Sequence, residues 1–162
     1  MRYNSNISLI ESFEKDSYEK LNSIMFYYIG NPELNVYYET LSENLNFRLD
    51  RQSFNYDYLI ELDPLKKQSI KSFDEINLTF NDSSFDAACV FYFGSSDKKS
   101  IGKKTGYDPN RIQFHTLFML LIESGTNEVI MKKRFEVKSK LTVVTENTRL
   151  SSAIVKELKI EK

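Results

Sequence analysis

Apolar and polar residues alternate with a period of two through much of the chain between residues 54 and 137. Successive side chains of an extended strand point to opposite faces, so this period predicts strands that bury one face. The segments that carry the pattern are 54–62, 76–80, 85–93, 112–122 and 129–137. We therefore expect a protein built around a sheet.

The segment 112–122 carries the strongest strand signal. Residues 117–122 are all apolar, which is typical of a central strand that is covered on both faces. The tetrapeptide Ser124-Gly125-Thr126-Asn127 follows and predicts a hairpin turn. Residues 129–137 then return as the antiparallel partner of this strand.

Three segments show helical signals. Ser8 and Glu11 have the spacing of a capping box, which predicts a helix that continues to about residue 22. The apolar run 24–29 fits either a buried strand or the end of that helix. Asn31-Pro32-Glu33 is a typical helix start, and apolar residues at helical spacing predict a helix over about residues 32–46. Apolar residues between 150 and 158 suggest a short C-terminal helix.

These elements predict the fold class. A chain of 162 residues is expected to form a single domain, residues 1–162. We predict an α+β fold, in which two or three helices pack on a largely antiparallel sheet of about five to seven strands. A β-sandwich with peripheral helices is the competing interpretation.

Charge is divided unevenly along the chain. Residues 1–94 contain 8 basic and 15 acidic side chains, whereas residues 95–162 contain 14 basic and 8 acidic ones. The basic half opens with a segment, residues 95–111, that joins two predicted strands. We expect an acidic N-terminal surface and this basic hairpin loop to be docking surfaces for partners. The predicted partner-binding residues are Lys98, Lys99, Lys103, Lys104, Tyr107, Arg111, Tyr37 and Tyr38.

The basic loop lacks the features of a phosphate-binding loop. The spacing from Gly94 to Gly102 is too long for that motif, and Lys104 stands where a serine or threonine is needed. The loop is also followed by a predicted strand, whereas the motif requires a helix. Nucleotide binding is therefore not expected here.

No residue pattern indicates catalysis, a cofactor or a metal site. His115 is the only histidine and lies within a predicted strand, so a structural role is the favoured interpretation. Cys89, the only cysteine, alternates with Ala87 and Phe91 on an apolar face and is read as a small buried side chain. Scattered carboxylates near strand ends have no calcium-loop spacing. We predict no catalytic residues, no cofactor and no metal.

We interpret the chain as a non-enzymatic protein-interaction module, a structural subunit of a larger assembly such as a virion or phage particle, a secretion apparatus or another multiprotein complex. Other protein subunits, including further copies of itself, are the expected partners. The alternatives are a nucleic-acid-associated protein that uses the lysine loop and a protein with a small-molecule or lipid-binding pocket. No signal peptide or membrane-spanning segment is recognisable, so we expect a location in the cytoplasm or within a particle.

Overall fold

The computed structural model describes residues 6–77, 84–96, 113–139 and 143–160. Within these ranges a six-stranded mixed sheet carries two α-helices, which confirms the predicted α+β class. The β-sandwich alternative was wrong, because the six described strands belong to one sheet. The strands are β1 (Ile7–Glu14), β2 (Ser23–Gly30), β3 (Asn55–Leu62), β4 (Ala87–Ser96), β5 (Gln113–Glu123) and β6 (Val129–Ser139), and the helices are α1 (Asn35–Arg51) and α2 (Val143–Glu157).

The strand order is β1-β6-β5-β4-β2-β3. β2 lies parallel to both β3 and β4, and the remaining neighbours are antiparallel. Along the chain α1 connects β2 to β3, as a parallel pair requires, because a tight turn cannot join the end of one parallel strand to the start of the next. β1 and β3 are therefore the two edge strands of the described sheet.

The main core lies between one face of the sheet, here called the helix face, and the two helices. Alternate residues of the central strands, including Phe91 and Met119, pack there against α1 and α2. The opposite face, here called the second face, has a smaller apolar cluster that includes Val90 and Leu120. Phe73, in the connection between β3 and β4, packs on this second cluster, so residues 117–122 are covered on both sides as predicted.

The start of the first helical region follows the sequence prediction. The side chain of Asn31 accepts a hydrogen bond from the Glu33 amide at 3.0 Å, and Pro32–Leu34 forms one 3-10 turn before α1 begins. The predicted helix over about 32–46 is thus confirmed, and it continues to Arg51. Gln52 ends the helix, and Ser53 adopts a positive φ of 53° that turns the chain toward β3.

The predicted helix from Ser8 to about residue 22 was wrong. Residues Ile7–Glu14 form β1, which pairs antiparallel with β6. Ile7 is fully buried opposite Val137, so tertiary pairing along the strand decides its structure and the short capping-box pattern does not. The open alternative for residues 24–29 is also decided, because they lie in β2.

The short strand predicted for residues 76–80 is not observed where it can be examined. Ile76 and Asn77 lie outside any strand, and the 3-10 turn Phe73–Glu75 precedes them. The remainder of that prediction, residues 78–80, lies outside the described residues. The hairpin turn after β5 is confirmed, with Gly125 at φ 86° and Asn127 at φ 58°.

A buried amide joins the two helices. Asn147 of α2 is 1% exposed, and its Nδ2 donates to the Tyr37 carbonyl at 2.9 Å and to Thr40 Oγ1 at 2.6 Å. We expect Asn147→Ala to lower the free energy of unfolding by about 1–3 kcal/mol, because both acceptors on α1 lose this donor. Urea denaturation measures the change. Thr148→Ala, which removes an exposed hydrogen bond to Asn44, is the control, and an equal loss in both variants would contradict the prediction.

Candidate docking surfaces

Six of the predicted partner-binding residues belong to the connection between β4 and β5. Lys98, Lys99, Lys103, Lys104, Tyr107 and Arg111 all lie outside the described residues. The structure gives the two ends of this connection, at Ser96 and Gln113, where β4 and β5 are antiparallel neighbours. The basic segment therefore connects adjacent central strands of the sheet.

The other two predicted contact residues require a correction. Tyr37 and Tyr38 are 2% and 0% exposed, so they do not form a surface patch. Both lie on the side of α1 that packs on the sheet, as adjacent members of its buried residues. The Tyr38 hydroxyl donates to the Ile29 carbonyl at 2.7 Å, which satisfies its polar atom inside the core.

Tyr37 and His115 form a partly buried polar contact beneath α1. The Tyr37 hydroxyl lies 2.7 Å from His115 Nε2. The imidazole stacks on Phe93 at a centroid distance of 5.1 Å and meets the Tyr37 ring edge-on at 4.9 Å. Burial lowers the pKa of His115 to about 3, and burial also raises the pKa of Tyr37, so both groups are neutral near pH 7. The structural role that the sequence favoured for His115 stays a prediction, and the packing of its ring against Phe93 and Tyr37 supports it.

Carboxylates that the sequence placed near strand ends serve as caps for backbone amides. Asp86 Oδ2 accepts from the amides of Asn22 and Ser23 at 2.7 and 3.2 Å. Glu75 accepts from the amides of Lys71 and Ser72, and these hydrogen bonds lower the pKa of its carboxyl group. Among the residues that the structure describes, no group of three histidine, cysteine or acidic side chains could hold a metal ion.

Large apolar side chains are exposed at both edges of the sheet. Ile10 and Phe13 of β1 are 45% and 49% exposed, and Tyr58 and Leu59 of β3 are 43% and 47% exposed. Single exposed apolar residues are common on proteins, but an edge strand also presents unpaired backbone groups. Apolar side chains beside such backbone groups suit the addition of another strand.

The two edges differ in how well they are protected against pairing. β1 contains a register shift between Leu9 and Glu11, and bulges of this kind interrupt edge pairing. Its acidic residues are also paired, Glu11 with Arg134 at 3.4 Å and Glu14 with Lys159 at 2.7 Å. β3, in contrast, runs in unbroken register beside β2 and contains neither proline nor a basic residue.

A row of basic residues lies on β6 at the second face. Lys132, Arg134 and Lys138 lie there, each with its cation over an aromatic ring. Glu136 lies between the last two, and its Oε1 is 3.4 Å from Lys138 Nζ. The closest of these contacts puts the Arg134 guanidinium 4.5 Å from the centroid of Phe118. The row therefore continues the positive charge of the C-terminal half onto the described sheet.

A buried ion pair lies on the helix face of β6. Lys133 Nζ lies 3.0 Å from Glu157 Oε1 of α2 and donates to Ser12 Oγ at 2.8 Å. Burial lowers the pKa of Lys133 and raises the pKa of Glu157, because each charged form loses solvation. Nearby, a broad open cleft of about 1020 Å³ is bordered by residues 14–18, 20–22, 52–55 and 158–160. It is open and its lining mixes polar and apolar surface, unlike the enclosed apolar pockets that hold lipids.

The sheet edges were not predicted as docking surfaces from the sequence. The alternation in residues 54–62 predicted β3 correctly, but strand order is needed to show that it lies at an edge. The lack of any basic residue or proline in Asn55–Leu62 was a usable signal. No helix in the described part of the chain is both long and apolar enough to cross a membrane.

Comparison with protein-family models finds no match, and comparison with curated proteins finds none. Solved structures do match the fold. The PelC dodecamer from Paraburkholderia phytofirmans in space group P6 aligns with a TM-score of 0.56 and 6% identity, over 96% of this chain and 99% of that one. A PelC variant dodecamer from the same organism, in space group C2, aligns with a TM-score of 0.57 and 7% identity over the same shares. At this identity the likeness establishes one thing, that this chain and the PelC protomer share a fold.

Proposed function

We propose that the chain is a non-enzymatic structural subunit that assembles with further copies of itself. The observation that carries this proposal is the shared fold with PelC, a protein that forms a dodecamer, across 96% of the chain. Exposed apolar residues on both edge strands support it, because they offer contact area for a neighbouring subunit.

The absence of enzymatic activity is part of the proposal. His115 would be the general base of any histidine-dependent mechanism, and its ring is held between Phe93 and Tyr37. Its lowered pKa, about 3, also makes it a weak base near neutral pH. A role in packing accounts for these features better than a role in proton transfer.

Charge is the second part of the proposal. The acidic N-terminal half and the basic loop 95–111 are the complementary surfaces through which subunits dock. The described residues Lys132, Arg134 and Lys138 add to the basic side. A contact between an acidic surface on one copy and a basic surface on the next is heterologous, so it closes into a ring or continues as a filament.

We expect the oligomer to weaken when salt is raised and when Lys98, Lys99, Lys103 and Lys104 are all replaced by glutamate. Both changes remove attraction between opposite charges, which salt screens over about 8–10 Å at physiological ionic strength. Size-exclusion chromatography with light scattering, at low and high salt, measures the mass directly. A wild-type chain that is monomeric under every condition would refute self-assembly.

The matched control replaces the same four lysines by arginine, which keeps their charge. If the arginine variant assembles and the glutamate variant does not, charge is the cause. If both variants and the wild type assemble equally at all salt concentrations, the loop is not the docking surface. Retained assembly would then have to use other contacts.

Nucleic-acid binding is the second candidate function, and the row of basic residues over aromatic rings on β6 favours it. Titration of labelled DNA and RNA at low and moderate salt tests it. Binding that falls steeply with salt would support this candidate. Lack of binding at low salt would eliminate it.

A further inference from the structure

We infer that β3 pairs antiparallel with β3 of a second copy across a two-fold axis centred on Tyr58, so that two six-stranded sheets become continuous. The inference rests on the proposed self-assembly and specifies one of its contacts. The partner is a second copy of this chain. The contact is isologous, and it is separate from the electrostatic docking of the basic loop.

The structure shows which backbone groups of β3 point away from β2. The Asp63 amide donates to the Gly30 carbonyl of β2 at 2.9 Å, so odd-numbered residues of β3 direct their amides toward β2. The amides and carbonyls of Tyr56, Tyr58 and Ile60 therefore point outward. In the described part of the chain no strand lies beyond them.

The structure also shows on which face of the sheet each β3 side chain lies. Tyr56 and Ile60 pack on the helix-face core, and Tyr58 lies between them on the same face. Leu59 and Asp57 point to the second face. A two-fold axis perpendicular to the sheet puts the helix faces of both copies on the same side. Directly opposed residues must therefore be both even-numbered or both odd-numbered.

Among the registers that this rule allows, the best one avoids like-charge pairs and keeps most of β3 paired. An axis through Leu59 would oppose Asp57 to Glu61 of the second copy, and an axis through Ile60 would oppose Asp57 to Asp63. An axis through Asp57 or Glu61 would oppose each of these residues to itself. Like charges directly opposite one another destabilise a strand pair.

The axis through Tyr58 avoids every such clash and pairs residues 55–61 of each copy, whereas an axis through Tyr56, which also avoids them, would pair only residues 55–57 of each β3. It opposes Asp57 to Leu59, Glu61 to Asn55, and Tyr56 to Ile60 of the second copy. Aromatic residues opposite β-branched residues are favourable cross-strand pairs. The two Tyr58 residues then face each other as a hydrogen-bonded pair, which uses their outward backbone groups.

Asp57 provides the competing interaction in the single chain. Its Oδ1 accepts from the Tyr58 amide at 2.8 Å, which satisfies the central outward donor. Pairing must replace this hydrogen bond by one to the Tyr58 carbonyl of the second copy. The edge is therefore capped at one point in the monomer and is open for pairing at Tyr56 and Ile60.

Cysteine scanning tests the register. Tyr58→Cys would place two sulfur-bearing residues with Cα atoms about 5.5 Å apart, within disulfide range. Leu59→Cys, the matched control, would place them about 7–8 Å apart on a diagonal, beyond that range. The native Cys89 is buried and stays reduced in both variants. We expect rapid cross-linking under mild oxidation for Tyr58→Cys only.

A second pair of variants tests the contact without oxidation. Tyr58→Pro removes an outward amide that plays no part in the ladder with β2, so the subunit should still fold while the pairing is lost. Tyr58→Phe keeps the amide and the ring. We expect the proline variant to have a lower assembled mass than wild type, and the phenylalanine variant to match wild type.

The outcomes separate this inference from the proposed function. An oligomeric wild type whose Leu59→Cys variant cross-links instead, or whose two cysteine variants both remain uncross-linked, would overturn the pairing and leave self-assembly intact. An assembled mass unchanged by Tyr58→Pro would do the same. A wild type that is monomeric in every condition would overturn both.

Discussion

Acidification from pH 7 to pH 4 is expected to cost the folded state about 3 kcal/mol through His115 alone. Burial lowers the pKa of His115 from 6.5 to about 3 in the folded chain. As the pH falls below 6.5 the unfolded chain binds a proton that the folded chain rejects, so stability falls until the pH approaches 3. Each pKa unit corresponds to about 1.4 kcal/mol.

Urea denaturation between pH 7 and pH 4 measures this effect. His115→Phe keeps an aromatic ring between Phe93 and Tyr37 but removes the titration, so the advantage of wild type over this variant should shrink as pH falls. Tyr37→Phe is the matched control, because it removes the hydrogen bond to Nε2 and keeps the titratable ring. A difference between wild type and His115→Phe that does not change with pH would contradict the prediction.

Loss of Glu157 is expected to destabilise the fold by about 3 kcal/mol, because Lys133 would lose its ion-pair partner and keep the Ser12 hydroxyl and the nearby charge of Glu14. The two side chains of the pair are 6% and 12% exposed. We expect Glu157→Leu combined with Lys133→Met to recover most of the lost stability. Well-packed apolar replacements remove the cost of desolvating both charges.

The same denaturation experiment reports on this pair through a double-mutant cycle. Glu128→Leu is the control, since Glu128 pairs with Lys15 at 2.9 Å on the surface, where ion pairs contribute little. We expect little change in that variant. Equal losses in Glu157→Leu and in the double variant would show that Lys133 is solvated by other groups.

An element could be predicted from the sequence where the residues that determine it lie within the element itself. Asn31, Pro32 and the apolar stripe of α1 act locally, so the helix could be predicted from them. The β5–β6 hairpin was predictable for the same reason, because Gly125 and Asn127 permit the turn and the flanking strands alternate. Local backbone preference and tertiary packing agree at these places.

Prediction failed where structure depends on distant residues. Ser8 and Glu11 match a helix start, yet β1 is defined by a partner strand near the other end of the chain. The tyrosines of α1 were assigned to a surface because their helical spacing does not distinguish a sheet-facing side from a partner-facing side. Burial of Tyr37 and Tyr38 follows from the sheet that α1 covers. The edge position of β3 likewise depends on the order of all six strands.

The pairing of β1 with β6 also constrains how the protein is made. β1 leaves the ribosome before any other described strand, but its partner β6, Val129–Ser139, is synthesised only after all the other described strands. Until β6 is made, the β1 backbone lacks its partner, and Ile7, which is fully buried opposite Val137 in the folded protein, is exposed. Closing such a distant contact is entropically costly, so we expect it to form late. The nascent chain should therefore be most vulnerable to misassociation and most attractive to chaperones just before β6 emerges.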